Sequence, residues 1–177
     1  MEDLSLHILD IVENSVAARA DKITIRISED INRDLLSVEV IDNGEGMDED
    51  TVKKVLDPFF TSKTVRRFGL GLPLLSEAAK AANGHLSISS KKGKGTKVRA
   101  DFQYSHIDRK PLGRMGQTII TLVMGNPEVD FIYVHKKNGH EYCLNTKKIK
   151  TRLKDRPINS PEGIRLIRED LKKRGSV

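Results

Sequence analysis

Three short stretches hold residues able to do chemistry together. Asp10 and Asn14 stand four apart, so on a helix both project from one face. An Asn amide oxygen is a neutral, hard ligand suited to a Mg²⁺ ion that also touches phosphate. An Asp one turn earlier can hold a water for in-line attack. The same two residues also suit the wet face of any helix. Asp42-Asn43-Gly44-Glu45-Gly46 follows an apolar, alternating run. A carboxylate at a strand end can accept a hydrogen bond from an amino group such as that of adenine. Gly44 and Gly46 allow a ligand approach that a Cβ would forbid, although an ordinary glycine turn has the same composition. Gly69-Leu70-Gly71-Leu72 opens a helical pattern, and the free N–H groups and dipole at a helix start attract phosphate. Lys63, Arg66 and Arg67, just upstream in the unpatterned stretch 61–68, can fold over a triphosphate as a cationic lid. Gly93-Lys94-Gly95-Thr96 is not a P-loop: its spacing is wrong and a strand pattern follows where a helix is needed.

Other segments must position these groups. Leu4, Ile8, Ile11 and Val12 at helical spacing predict a helix over 3–20, capped by Asp3 or Ser5. Alternation predicts strands over 22–28 and 35–41, joined by a polar turn. A short helix is expected over 48–56, and Pro58 ends the pattern. The helix opened by Gly69–Leu72 runs to about Ala82 and stops at Asn83-Gly84. Strands at 85–90 and 96–104 flank a hairpin loop. A linker is expected over 106–116, then strands over 117–124, 130–135 and 141–144, with a turn at 137–140. Ser160-Pro161 starts a basic amphipathic helix.

Composition limits the rest. The chain has 177 residues, 37% hydrophobic and 32% charged, enough aliphatic content for a core and too much for full disorder. No apolar run approaches the ~18 residues of a membrane span, and the opening residues lack a signal-peptide pattern. The single cysteine, Cys143, excludes an internal disulfide, suits a cytoplasmic location and is expected to be buried in its strand. The net charge of +6 is uneven: residues 1–105 carry 15 basic and 17 acidic residues (−2), residues 106–177 carry 16 and 8 (+8). The basic segment suits either an anionic partner, such as nucleic acid or an acidic protein face, or a solvated surface.

The order of the motifs is more specific than any one of them. Asp10-x-x-x-Asn14, Asp42-x-Gly44-x-Gly46, Phe59-Phe60-Thr61-Ser62-Lys63, Gly69-x-Gly71 and Gly93-x-Gly95-Thr96 together resemble the GHKL ATPase superfamily. That group comprises gyrase, the heat-shock chaperone ATPase, histidine kinases and MutL. The resemblance covers about residues 4–104. Val12-Glu13-Asn14-Ser15 is most similar to MutL, and Phe59–Lys63 with Gly69–Leu72 to histidine kinases.

The resemblance implies an α+β class, the two-layer α/β sandwich of the Bergerat fold. Its mixed, mostly antiparallel sheet is covered on one face by helices. Residues 1–105 would form the ATP-binding domain and 106–177 a small basic α+β extension. By the same resemblance the cofactors are ATP and Mg. Asn14 would ligate the metal, Asp42 the adenine amino group, and Thr96 would share with Asp42 a water at adenine. Gly44, Gly46 and Met47 would shape the purine pocket, and Lys63, Arg66 and Arg67 would lie in the lid. Gly69 and Gly71, with the amides of Leu70 and Leu72, would cradle the phosphates. Asp10 occupies the place of the general-base Glu, one methylene shorter.

Only 13 residues precede Asn14, no room for a hairpin bearing a phosphoacceptor His, and His7 is expected to be structural or at the surface. The expected function is a stand-alone Mg·ATP-binding regulatory protein, phosphorylating a protein in trans or switching with nucleotide. The alternatives are an ATP-regulated module that docks nucleic acid or protein through its basic region, and a MutL-like or gyrase-like ATPase that forms a homodimer.

Overall fold

Alternation along the strands sets the architecture. In β1 (Lys22–Asp30), Ile23, Ile25 and Ile27 are buried while Lys22 and Arg26 are exposed. In β2 (Leu35–Asp42), Leu36, Val38 and Val40 point the same way. Four further strands complete one sheet: β3 (His85–Lys91), β4 (Gly95–Gln103), β5 (Asp130–Lys137) and β6 (His140–Asn145). The strand order is β3-β4-β2-β1-β5-β6, antiparallel throughout except for the parallel β1–β5 pair. The structure, a computed structural model, describes residues 3–56 and 71–173.

Register lines the buried side chains into rows across the sheet. One row reads Ile88, Val98, Val40, Ile25, Tyr133, Leu144. The next reads Leu86, Ala100, Val38, Ile27, His135, Tyr142. Helices cover this face. α1 (Leu4–Ala17) buries Leu4, Ile8, Ile11 and Val12 at helical spacing, and the Asp3 carboxylate caps it by accepting from the Leu6 N–H. α2 (Glu49–Lys54) is short and capped by Asp48. α3 (Gly71–Ala81) buries Leu72, Leu75, Ala78 and Ala79 and stops at Asn83 (φ 52°), where the Gly84 N–H donates to Ala79 O at 2.8 Å.

Beyond residue 105 the chain returns to the same sheet. After the irregular stretch 104–114, α4 (Met115–Gly125) packs on α1, and β5 pairs with β1 from Lys22 to Glu29. α5 (Thr146–Leu153) and α6 (Pro161–Lys172) pack on each other, α6 also on α4. Ser160 caps α6, with Pro161 in its first turn, as the sequence predicts.

Three expectations need correction. Residues 117–124 form helix, not strand. The run Gln117–Met124 is rich in β-branched residues, but Met115, Thr118, Ile119, Leu122 and Val123 are the buried set, a helical spacing. Short apolar runs do not declare their period, and packing decided it here. The linker expected over 106–116 therefore ends before Met115. Cys143 is exposed: Tyr142 and Leu144 point into the core, so strand parity sends the residue between them outward. α5 falls in a stretch to which the sequence reading assigned no element.

Candidate functional site

The site lies in the third row of the covered face. Following the same register, the row reads Ser90, Thr96, Asp42, Ile23, Phe131. Its first three members are polar, where the two rows before it carry aliphatic side chains at the corresponding positions. Under a layer of helices such a change must be satisfied by hydrogen bonds or serve a ligand.

Most of the bonds are present. Asp42 Oδ1 accepts from the Gly44 N–H at 2.9 Å and the Thr96 N–H at 3.2 Å. Its Oδ2 accepts from the Ser15 hydroxyl at 2.7 Å. A carboxylate offers about four acceptor sites, so three local donors leave room for one more. Ser90 Oγ accepts from the Met47 N–H at 2.8 Å and lies 2.8 Å from Thr96 Oγ1. Gly46 has φ +66°, and a Cβ there would lie 2.1 Å from Lys91 O. That close backbone approach folds the loop after β2 back over the β3–β4 hairpin.

These groups meet at a cavity lined by residues of α1 (Ile11, Asn14, Ser15), β2 (Asp42), β4 (Thr96, Val98) and α3 (Leu72), with Met47 and Ala18. Its volume of about 20 Å3 is room for roughly one water. Asn14, Asp42, Met47, Leu72 and Thr96 are thus brought together as the sequence suggests. Gly44 stands at its rim through Asp42 and through contact with the end of α1, where a Cβ would lie 2.6 Å from Ala18 O.

Asp10 is outside the lining. It lies one turn from Asn14 against the first residue of α3: a Cβ on Gly71 would come within 2.9 Å of Asp10 Cβ. α1 therefore carries its amide to the cavity and its carboxylate to the start of α3, where free N–H groups concentrate positive potential. Among the described residues no group of three or more His, Cys, Asp or Glu could hold a metal ion. A Mg²⁺ at Asn14 fits this setting only by taking its other ligands from phosphate and water. Lys63, Arg66, Arg67, Gly69 and Leu70 lie outside the described residues.

Sequence reasoning missed Ser15 and Ser90 as partners of the site. Their one signal was a hydroxyl at a position of the apolar period, on α1 and on β3. His7, on α1, is 3% exposed, and its Nδ1 finds no hydrogen-bond partner among the described residues. Burial pushes its pKa below the ordinary imidazole value.

Comparisons with known proteins identify the family. Residues 2–106 match the model of the histidine kinase-, DNA gyrase B- and HSP90-like ATPase family. The sensor histidine kinase YxdK of Bacillus subtilis is 36% identical over 106 residues, 56% of this chain and 32% of that protein. The sensor protein kinase FleS of Pseudomonas aeruginosa is 37% identical over 89 residues, 50% of this chain and 22% of that protein. The chain thus spans a third or less of these curated relatives. Among solved structures, the MutL ATPase domain of Aquifex aeolicus, complexed with ADP, superimposes with TM-score 0.51 at 20% identity, covering 85% of this chain and 68% of that one. The N-terminal domain of a DNA repair protein gives TM-score 0.57 at 17% identity, covering 82% and 53%. At those identities the two structures speak for the fold alone. With the family model covering more than half of it, the chain belongs to the histidine kinase-, DNA gyrase B- and HSP90-like ATPase family.

Proposed function

We propose that the protein binds Mg·ATP in this cavity and uses it to regulate a partner, by phosphoryl transfer in trans or by a nucleotide-dependent switch. The supporting observation is the Asp42 carboxylate, held in a core row by three donors with an acceptor site to spare, on the same cavity wall as Asn14. In this reading Asp42 accepts the adenine amino group, and Thr96 shares a water with it. Met47, Gly44 and Gly46 shape the purine pocket. Asn14 ligates Mg²⁺, which would screen the phosphate charge when bound. The Gly71 and Leu72 amides meet the phosphates, and Asp10 orients water or a hydroxyl nearby. Lys63, Arg66, Arg67, Gly69 and Leu70 complete the lid and cradle. The cavity is small, so nucleotide entry requires its walls to part.

Titration calorimetry with Mg·ATP tests this. Heat of binding is expected for the parent chain, with at least a tenfold loss for Asp42→Asn, about 1.4 kcal/mol or more. No heat and no thermal shift with the parent would refute the reading. Incubation with γ-labelled ATP and lysate then separates the modes: a labelled protein indicates transfer, free phosphate a simple ATPase. Hydrolysis that disappears in Asp10→Ala, with a nucleotide-dependent rise in mass, would instead favour a dimerising MutL-like ATPase.

A second reading has its own observation. Lys147, Lys148, Arg152 and Lys154 in and just after α5, with Arg165 and Arg168 on α6, are exposed and have no ion-pair partner among the described residues. Two packed helices bearing this charge suit nucleic acid or an acidic protein face. A gel shift with duplex DNA at low salt, weakening steeply as salt rises, would support nucleic acid. A negative result there would remove it.

A further inference from the structure

The uncovered face of the sheet carries a second concavity, remote from the helix layer. It is a groove of about 600 Å3 where the β1–β2 turn and the β5–β6 turn stand side by side. The Asn138 N–H donates to Glu29 O at 3.1 Å, and the Ile31 N–H donates to Asn138 Oδ1 at 3.4 Å, so the two turns are tied together.

Both signs of charge line the groove, but not in equal number. Glu29 is engaged by His135 Nε2 at 2.7 Å. Asp30 Oδ1 accepts from the Arg33 backbone N–H at 3.1 Å. Glu39 is shared by Lys97 at 3.0 Å, Arg99 at 3.3 Å and Arg26 at 4.0 Å. Asp30 has no ion-pair partner among the described residues, but the cations are in excess, with Arg26, Arg33, Arg99 and Lys136 against Glu29, Asp30 and Glu39. Arg33 and Lys136 have no ion-pair partner among the described residues, and Arg26 reaches Glu39 only at that outer limit with its side chain 56% exposed. No aromatic ring lines the groove, so it offers no platform for a base. It crosses strands contributed by both parts of the chain.

Spacing favours an extended peptide. Arg26 pairs with Val134, two residues before Lys136, so the two cations are diagonal neighbours on adjacent strands, roughly 8 Å apart by sheet geometry. Alternate side chains of an extended chain are separated by roughly 7 Å. Guanidinium and ammonium groups at that interval match carboxylates on every second residue.

We propose that this groove docks an acidic, extended segment of a protein partner, its carboxylates seated on Arg26, Arg33 and Lys136. The proposal does not rest on the nucleotide reading. The probe is a fluorescein-labelled hexapeptide of alternating Asp and Glu, followed by anisotropy at low ionic strength. Binding is expected, weakened at least tenfold in Arg33→Glu/Lys136→Glu and changed less than twofold in Lys53→Glu/Lys172→Glu, exposed lysines on α2 and α6. Thermal unfolding checks that each variant is folded, and Arg33→Gln/Lys136→Gln replaces the reversal if it is not. No binding, equal binding by the groove variant, or equal weakening by both variants, which would mean diffuse attraction, each overturns the proposal. So does capture of inorganic pyrophosphate by the parent, lost in the groove variant, with no capture of the peptide.

Discussion

The two faces of one sheet use the same strands for opposite purposes. On the covered face, two rows that are aliphatic on β3, β4 and β2 give way to a third that turns polar there at Ser90, Thr96 and Asp42. On the open face, the row beside the aliphatic pair reads Ser87, Arg99, Glu39, Arg26 and then Val134, a chain of alternating charge. Position in the row predicts little without the face. Under the helices, polar side chains on β3, β4 and β2 mark the candidate site, whereas His135 on β5 is spent on Glu29 at 2.7 Å. A polar residue on the open face is ordinary, and only its unspent charge is informative. Predictions about stability and binding should therefore differ by face more than by residue type.

The largest effect is expected in the covered rows. Phe102 is fully buried on β4, and Phe102→Ala should cost about 3–5 kcal/mol through lost transfer energy and the cavity left behind. Urea unfolding would read this as a lower midpoint at unchanged slope. A loss under 1 kcal/mol would mean that the helix layer collapses to fill the gap and is less rigid than its burial suggests.

Next is the site itself. Gly71→Ala sets a methyl 2.9 Å from Asp10 Cβ, and either α1 or the start of α3 must yield. A helical glycine replaced by alanine in open space would gain about 1 kcal/mol, so a net destabilisation together with at least tenfold weaker Mg·ATP binding is expected. A variant that gains stability and binds normally would separate Asp10 from the phosphate end of the site.

The sequence was legible where a motif is local and where alternation is strict. Asp42, Gly44 and Gly46 come from five consecutive residues, and Asn14 and Asp10 from one helical turn, so their grouping needed no long-range information. The β1–β2 and β3–β4 pairs followed from alternation and short turns. The pairing of β5 with β1 was not legible. It joins segments about a hundred residues apart, and nothing local in either strand specifies a parallel neighbour. For the same reason the continuity of the sheet across residue 105 is a finding of the fold. Ser15 was visible as a member of the helical period, yet its bond to Asp42 depends on where α1 crosses β2.

A smaller effect tests burial on α1. His7 is held neutral by burial, its pKa below the ordinary value. The unfolded chain protonates this imidazole as pH falls through about 6.5, while the folded chain does not, so the unfolded state binds more protons there. Stability should fall as pH drops from neutral toward the lowered native pKa, and the loss is complete once the native imidazole also protonates. Urea midpoints of His7→Leu should show a flatter pH profile over that window than the parent. An identical slope would show that the folded chain protonates His7 as readily as the unfolded one.

The smallest effect belongs to the open face, where the number of contacts gives the opposite impression. Arg99 donates to both carboxylate oxygens of Asp101 at 3.0 Å, to Glu39 at 3.3 Å and to Ser37 at 3.2 Å. Asp101 raises its pKa above the usual guanidinium value. Its side chain is nevertheless 39% exposed, and ion pairs screened by water contribute about 0.2–1 kcal/mol. Its partners also keep other donors when it is removed: Ser37 Oγ donates to Asp101 at 2.6 Å, and Lys97 stays 3.0 Å from Glu39. Arg99→Met keeps the aliphatic stem that packs along the sheet. It should therefore cost about 1 kcal/mol or less, with a difference from the parent that shrinks as salt is added. Four hydrogen bonds on the open face would then be worth less than one phenyl ring on the covered face. A salt-independent loss above 2 kcal/mol would mean that the charged row is shielded from water, and that the open face is itself a covered one.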